Sequence, residues 1–210
     1  MEVMRAWQYS KVGRLEENLQ LKTDIPRPTA ATLQEDQVLV QVLYSSLNPA
    51  DLKHAELGLF TKLKTGFPAT PGCDFCGRVQ AVHPSNTTFK SDDVVFGCFG
   101  HPMKEGPLAD YLVVSTKVCV HVPQGVLPNE AAGIGGAGLT AYQSIVPFVQ
   151  KGQKVFINGG SGGVGLFAIQ IARARGIDVT VSCSTRNKTL CEELGARVID
   201  YTQGDLINVL

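Results

Sequence analysis

Residues 155–165 read VFINGGSGGVG, an apolar run that ends in five glycines within seven positions. Gly160-Ser161-Gly162-Gly163-Val164-Gly165 is a complete G-x-G-x-x-G. Alone that string says little. Here it follows a predicted strand over 155–158 and opens a predicted helix over 163–175, with Val164, Ala168, Ile171 and Ala172 along one stripe. In that setting the first glycine permits a tight turn, the second lets the backbone approach a pyrophosphate, and the third lets helix and strand pack closely. The helix start then offers free N–H groups and positive dipole character to phosphates. The bland alternative is a glycine-rich turn with no ligand. The order strand, loop, helix, second strand weighs against it.

The next strand decides which dinucleotide is expected. An NAD site places Asp or Glu about 20 residues on, to bind the ribose 2′-hydroxyl. No acid occurs between Asp178 and Glu192. Ser182, Ser184, Thr185, Arg186, Asn187 and Lys188 stand there instead. Hydroxyls and two cations suit a 2′-phosphate, which takes charge-assisted donors, so NADP(H) is the expected cofactor. Ser184 or Thr185 also suits the cap of the following helix, and the two readings are compatible.

The rest of the chain divides near Pro123. Before it, short strand candidates at Gln37–Tyr44, Phe75–Val82, Asp93–Gly97, Leu108–Val114 and Val118–Val122 are separated by Pro, Gly, Asn and Asp clusters. This suggests a barrel-like or sandwich-like β domain. Beyond it, helix signals at Pro128–Ala132 and Leu139–Val149 lead into alternating elements: strand 155–158, helix 163–175, strand 177–182, helix 185–194, strand 197–200. Alternation of that kind implies parallel βαβ units. The expected domains are 1–125 and 126–210.

Nineteen basic residues balance nineteen acidic ones, so the chain has no electrostatic footprint for nucleic acid or an anionic membrane. No apolar run approaches the ~20 residues of a membrane span, and MEVMRAWQYS lacks a signal-peptide core. A cytoplasmic protein acting on a small molecule is expected. Cys73 and Cys76 form one C-x-x-C, with no second pair to complete a zinc ribbon. Pro71, Gly72 and Gly77 around them suggest a turn, and all six cysteines are expected as free thiols.

Several stretches together resemble the medium-chain dehydrogenase/reductase superfamily, in its zinc-independent quinone oxidoreductase and enoyl reductase branch. They are Leu47-Asn48-Pro49-Ala50-Asp51-Leu52-Lys53, Pro71 to Val79, Gly106 to Tyr111, Ala137-Gly138-Leu139-Thr140-Ala141-Tyr142, the glycine loop, and Leu194-Gly195-Ala196 with Ile199-Asp200-Tyr201. The resemblance covers essentially the whole chain. It implies a fold of β plus α/β class: an N-terminal GroES-like β barrel, then a Rossmann domain, a doubly wound parallel sheet that is only partial here.

The resemblance also implies roles. The positions of the family's catalytic zinc ligands hold Asn48, Cys73 and Gly136, with Asp74 beside Cys73, so no metal is expected and Asp74 braces a turn. Lys53 is implied to contact NADPH or assist protonation, Asn48 to bond near the nicotinamide or a substrate carbonyl, and Thr140 to contact the nicotinamide side. Tyr201 matches a tyrosine near the adenosine 2′-phosphate; a strand-end aromatic packed over the core is the other reading. Tyr44 is expected in the core and His54 at the surface.

Family members are usually much longer, and a complete dinucleotide fold has about six parallel strands. The chain therefore reads as a truncated form with the first half of a Rossmann sheet. A homodimer is the expected assembly of a full-length form. The expected activity is NADPH-dependent reduction of a quinone, enone or enoyl C=C by hydride transfer. The alternative is a catalytically silent NADP-binding module.

Overall fold

The computed structural model describes residues 2–100 and 104–204. It divides into two compact units, one ending at Gly136 and one beginning at Ala137.

The first unit opens with β1 (Val3–Gln8), a short α1 (Leu15–Asn18) and β2 (Gln20–Pro26); β1 and β2 form an antiparallel ribbon. Then come β3 (Gln37–Ser46), α2 (Pro49–Glu56), α3 (Leu59–Lys64), β4 (Asp74–Val82), β5 (Val94–Cys98), β6 (Tyr111–Ser115), β7 (Cys119–His121) and α4 (Pro128–Ala131). Strands β3 to β7 make one antiparallel sheet in the order β6-β3-β4-β5-β7. β3 and β4 lie inside it. That explains why QVLVQVLY is apolar on both faces: Val38, Leu39 and Val40 are all buried. Phe75, Val79, Val95, Leu112 and Val114 complete that core.

The expected barrel takes the form of this open sheet and the separate ribbon. They are joined at single bridges such as Ala6↔Ala109. Among the described residues no ladder closes β6 onto β7. The C-x-x-C reading is corrected in part: Cys73 ends the Pro71–Gly72 turn, but Cys76 lies within β4.

Helix α5 (Gly135–Ile145) carries the division between the units. The second unit continues with β8 (Lys154–Asn158), α6 (Gly163–Ala174), β9 (Asp178–Cys183), a 3₁₀ turn at Thr185–Asn187, α7 (Lys188–Glu193) and β10 (Arg197–Asp200). Its three strands are parallel in the order β10-β9-β8. This is the Rossmann-like βαβαβ arrangement. The buried face of α6 is Gly165, Ala168, Ile169 and Ala172. Val164, placed on the buried stripe by sequence, is 40% exposed, because the helix turns its next residue, Gly165, against the loop. No helix among the described residues is long and apolar enough to cross a membrane.

Candidate functional site

In the second unit the glycine turn is built from beneath. Ser182, fully buried on β9, accepts from the Gly159 N–H at 3.0 Å and donates to Asn158 Oδ1 at 2.6 Å. The Gly160 N–H donates to the Ser182 carbonyl at 2.9 Å. Ser182 thus supports the loop from inside the fold, and its hydroxyl is not at the surface.

The glycines divide by cause. A Cβ on Gly160 would lie 2.5 Å from Val181 Cβ, and one on Gly165 would lie 2.4 Å from the Gly159 carbonyl oxygen. Both are glycine because the protein packs there. Gly162 and Gly163 differ. A Cβ on Gly162 would meet only the Gly159 oxygen at 3.4 Å, and one on Gly163 only Ala137 Cβ at 3.7 Å. Gly162 has an ordinary φ of −77°. Nothing within the fold requires these two residues to lack side chains. They are exposed at the start of α6, where the amides of Gly163, Val164 and Gly165 precede the first intrahelical donor, the Leu166 N–H that meets the Gly162 carbonyl. The cradle fits a diphosphate group approaching the backbone.

The residues beyond β9 form a rim. Ser161 Oγ accepts from Asn187 Nδ2 at 3.0 Å, which ties the glycine turn to the 3₁₀ turn. Ser184 and Asn187 stand at the caps of the 3₁₀ turn and α7 without a side-chain cap bond, so neither hydroxyl nor amide is consumed by capping. Arg186 is exposed, and Lys188 lies 3.8 Å from Glu192 in a loose i,i+4 pair. Tyr201 is 52% exposed, not packed over the core.

Thr185 has a partner that sequence spacing missed. Its hydroxyl donates to Asp200 Oδ2 at 2.6 Å. Thr202 adds its backbone N–H at 2.9 Å and its hydroxyl at 2.6 Å to Asp200 Oδ1. These bonds, that from Thr185 first, hold the Asp200 carboxyl below its ordinary range. Asp200 was invisible to a search along β9 because it arrives on the adjacent strand.

In the first unit, Asn48 starts α2. Its N–H donates to Asp51 Oδ2 at 2.7 Å, and Pro49 takes the first helical position. Lys53 follows, exposed on the same helix, while Thr140 is exposed on α5 in the second unit. His54 is buried, its Nε2 2.6 Å from Thr65 Oγ1, and Tyr44 is 49% exposed. Both reverse the sequence expectation. His54 lies on the inward face of α2, and β3 runs on to Ser46 with Tyr44 on its outward side.

The structure does bring Asn48, Gly136 and the Cys73–Asp74 pair together. Asp74 is fully buried; its Oδ2 accepts from Ser46 Oγ and Asn48 Nδ2, both at 2.9 Å, and its Oδ1 accepts from the Gly136 N–H at 2.8 Å. A Cβ on Gly135 would come within 2.8 Å of Asp74 Oδ1, so the carboxylate needs glycine beside it. Burial, and then Asp51, push the Cys73 thiol far above its ordinary value; burial and then Asp74 push Cys98 up to about 12. These are inert neutral thiols. Asp51 Oδ1 is buried without a conventional hydrogen-bond partner. Among the described residues no group of three His, Cys, Asp or Glu could hold a metal ion.

Residues 34–124 match the alcohol dehydrogenase GroES-like domain family. A trans-enoyl reductase, pgmF, of Aspergillus terreus is 46% identical over 97% of this chain and 60% of its own length. A zinc-type alcohol dehydrogenase-like protein of Schizosaccharomyces pombe is 38% identical over 98% of this chain and 61% of its own. Among solved structures, the quinone oxidoreductase of Coxiella burnetii superposes with a TM-score of 0.89 at 31% identity, covering 100% of this chain and 66% of that one. The chain spans about 60% of the length of the curated relatives it matches. With the GroES-like sheet in the first unit, the glycine-turn βαβαβ unit in the second, and relatives matched across both, the chain belongs to the medium-chain dehydrogenase/reductase superfamily.

Proposed function

We propose that the chain binds a nicotinamide dinucleotide, NADP(H) by preference, and acts as a zinc-independent oxidoreductase on the C=C bond of an enone or enoyl substrate, or on a quinone. The observation that carries this reading is the pair Gly162 and Gly163, open and unstrained at the start of α6, whose bare backbone leaves room for a closely approaching diphosphate. The names of the trans-enoyl reductase and quinone oxidoreductase relatives support the reaction class.

When bound, the cofactor supplies a hydride. The chain's own residues do the rest. Amides around Gly160 to Gly165, with Ser161, hold the diphosphate. Arg186 and Lys188, with Ser184, Asn187 and Tyr201 beside them, meet the 2′-phosphate as exposed cations, hydroxyl, amide and aromatic. Thr140 contacts the nicotinamide end. Asp74 fixes the amide of Asn48, whose second hydrogen polarises a substrate carbonyl. Lys53 holds the proton that completes addition across the C=C bond. A zinc-free centre is supported by Asp74, the carboxylate of this centre, whose oxygens already accept from the Ser46 hydroxyl, the Asn48 amide and the Gly136 N–H.

The test is NADPH oxidation by the purified chain with an enone, an enoyl thioester and a benzoquinone, before and after chelator treatment. Turnover that survives the chelator supports the reading. NADPH binding with no turnover of any of the three overturns the enzymatic part and leaves a silent nucleotide-binding module.

A further inference from the structure

Asp200 is the last residue of β10, and its ladder partner is Cys183, the last residue of β9. In a dinucleotide fold the end of the second strand is where an acid meets the ribose 2′-hydroxyl. Neighbouring strands lie about 5 Å apart, so a carboxylate from the third strand stands one strand spacing from that position. It is joined to it by Thr185, whose single hydroxyl proton goes to Asp200 at 2.6 Å. Thr185 therefore has no proton left for a phosphate. Asp200 is half-buried at this rim, with Arg186 and Lys188 on the turn and helix beside Thr185.

We infer that Asp200 sets which nicotinamide dinucleotide the site prefers, by holding a negative charge beside the 2′ position and so admitting the unphosphorylated form alongside NADP(H). The inference rests on the proposed cofactor site and deepens it. A 2′-hydroxyl can donate to the Asp200–Thr185 pair. A 2′-phosphate gains from Arg186 and Lys188 but is repelled by Asp200. The absence of an acid along β9 is thus offset in space by one from β10.

The experiment titrates the full chain with NADP⁺ and NAD⁺ calorimetrically, as wild type, Asp200→Asn and Arg186→Ala. Asn keeps the shape and an acceptor for Thr185. Asp200→Asn is expected to tighten NADP⁺ roughly tenfold, the order expected for removing one charge beside a phosphate at a solvent-facing site, with NAD⁺ unchanged or weaker. Added salt shrinks the gap between wild type and variant, which a purely structural disturbance would not do. Arg186→Ala weakens NADP⁺ alone. If Asp200→Asn moves both dinucleotides by the same factor, or neither, the inference is wrong while the cofactor site stands. If neither dinucleotide binds any of the three proteins, the cofactor site fails, and the inference with it.

Discussion

The Asn48 side-chain amide donates to Asp74 Oδ2 at 2.9 Å across 26 positions of sequence, and the same carboxylate takes the Gly136 N–H at 2.8 Å. One fully buried side chain thereby fastens the start of α2, the end of β3 and the first turn of α5 to the head of β4. Removing it leaves three donors in the interior with nothing to meet them. Asp74→Ala should cost about 2–4 kcal/mol. Asp74→Asn should shift stability the same way by less, since its new N–H faces a donor. Denaturant titration followed by the fluorescence of Trp7, the chain's single tryptophan, reads the first unit directly.

The glycine turn separates packing from ligand access. Gly160→Ala forces a Cβ to within 2.5 Å of Val181 and should destabilise the second unit by about 1–3 kcal/mol. Gly162→Ala meets only one oxygen at 3.4 Å at an allowed φ, so stability should hold or rise by up to about 1 kcal/mol. Its dinucleotide affinity should fall at least about tenfold, because the new methyl stands where a diphosphate approaches. Melting curves and calorimetric titration of both variants check this. Equal affinity in wild type and Gly162→Ala would remove the main support for the cofactor site.

Cys76 is wholly buried in β4, and burial raises its thiol from 9.0 to about 11. The folded form keeps this proton at a pH where an unfolded chain releases it. Its contribution to stability is therefore complete below pH 9.0 and is lost as pH rises through about 11. Stability should be flat in this respect at neutral pH and fall between those values. Cys119 and Cys191, also raised to about 11 by burial, add to the slope. Cys76→Ala should flatten the decline, as measured by denaturant midpoints at a series of alkaline pH values.

On α6, Ile169 is fully buried and Val164 is 40% exposed. Ile169→Ala should cost about 2–5 kcal/mol and Val164→Ala less than about 0.5 kcal/mol. Circular dichroism of the two variants during thermal unfolding distinguishes them.

The strands of the two larger sheets were readable from runs such as Gln37–Tyr44, apolar on both faces, and 177–182, where Ile177, Val179 and Val181 alternate with polar residues. The ribbon β1–β2 was not. Gln20–Pro26 buries no residue and reads as polar coil, and its pairing is set by distant β1. Helix α2 carried an ordinary start signal in Asn48-Pro49-Ala50-Asp51, hidden by its value as a family motif. At the candidate site, the strand, the glycine turn and the helix start were legible because they are local. Asp200 and the bonds to Asp74 were not, since each depends on which strands become neighbours. Val164 was misplaced because an apolar stripe was read without the pull of Gly165 against the turn.

Ser182 offers no surface of its own, yet its hydroxyl sets the shape of the glycine turn. By accepting from Gly159 and donating to Asn158, it locks the turn into shape from the protein side alone. On the proposed reading, an arriving diphosphate would meet a socket already cast and spend little of its affinity on ordering backbone.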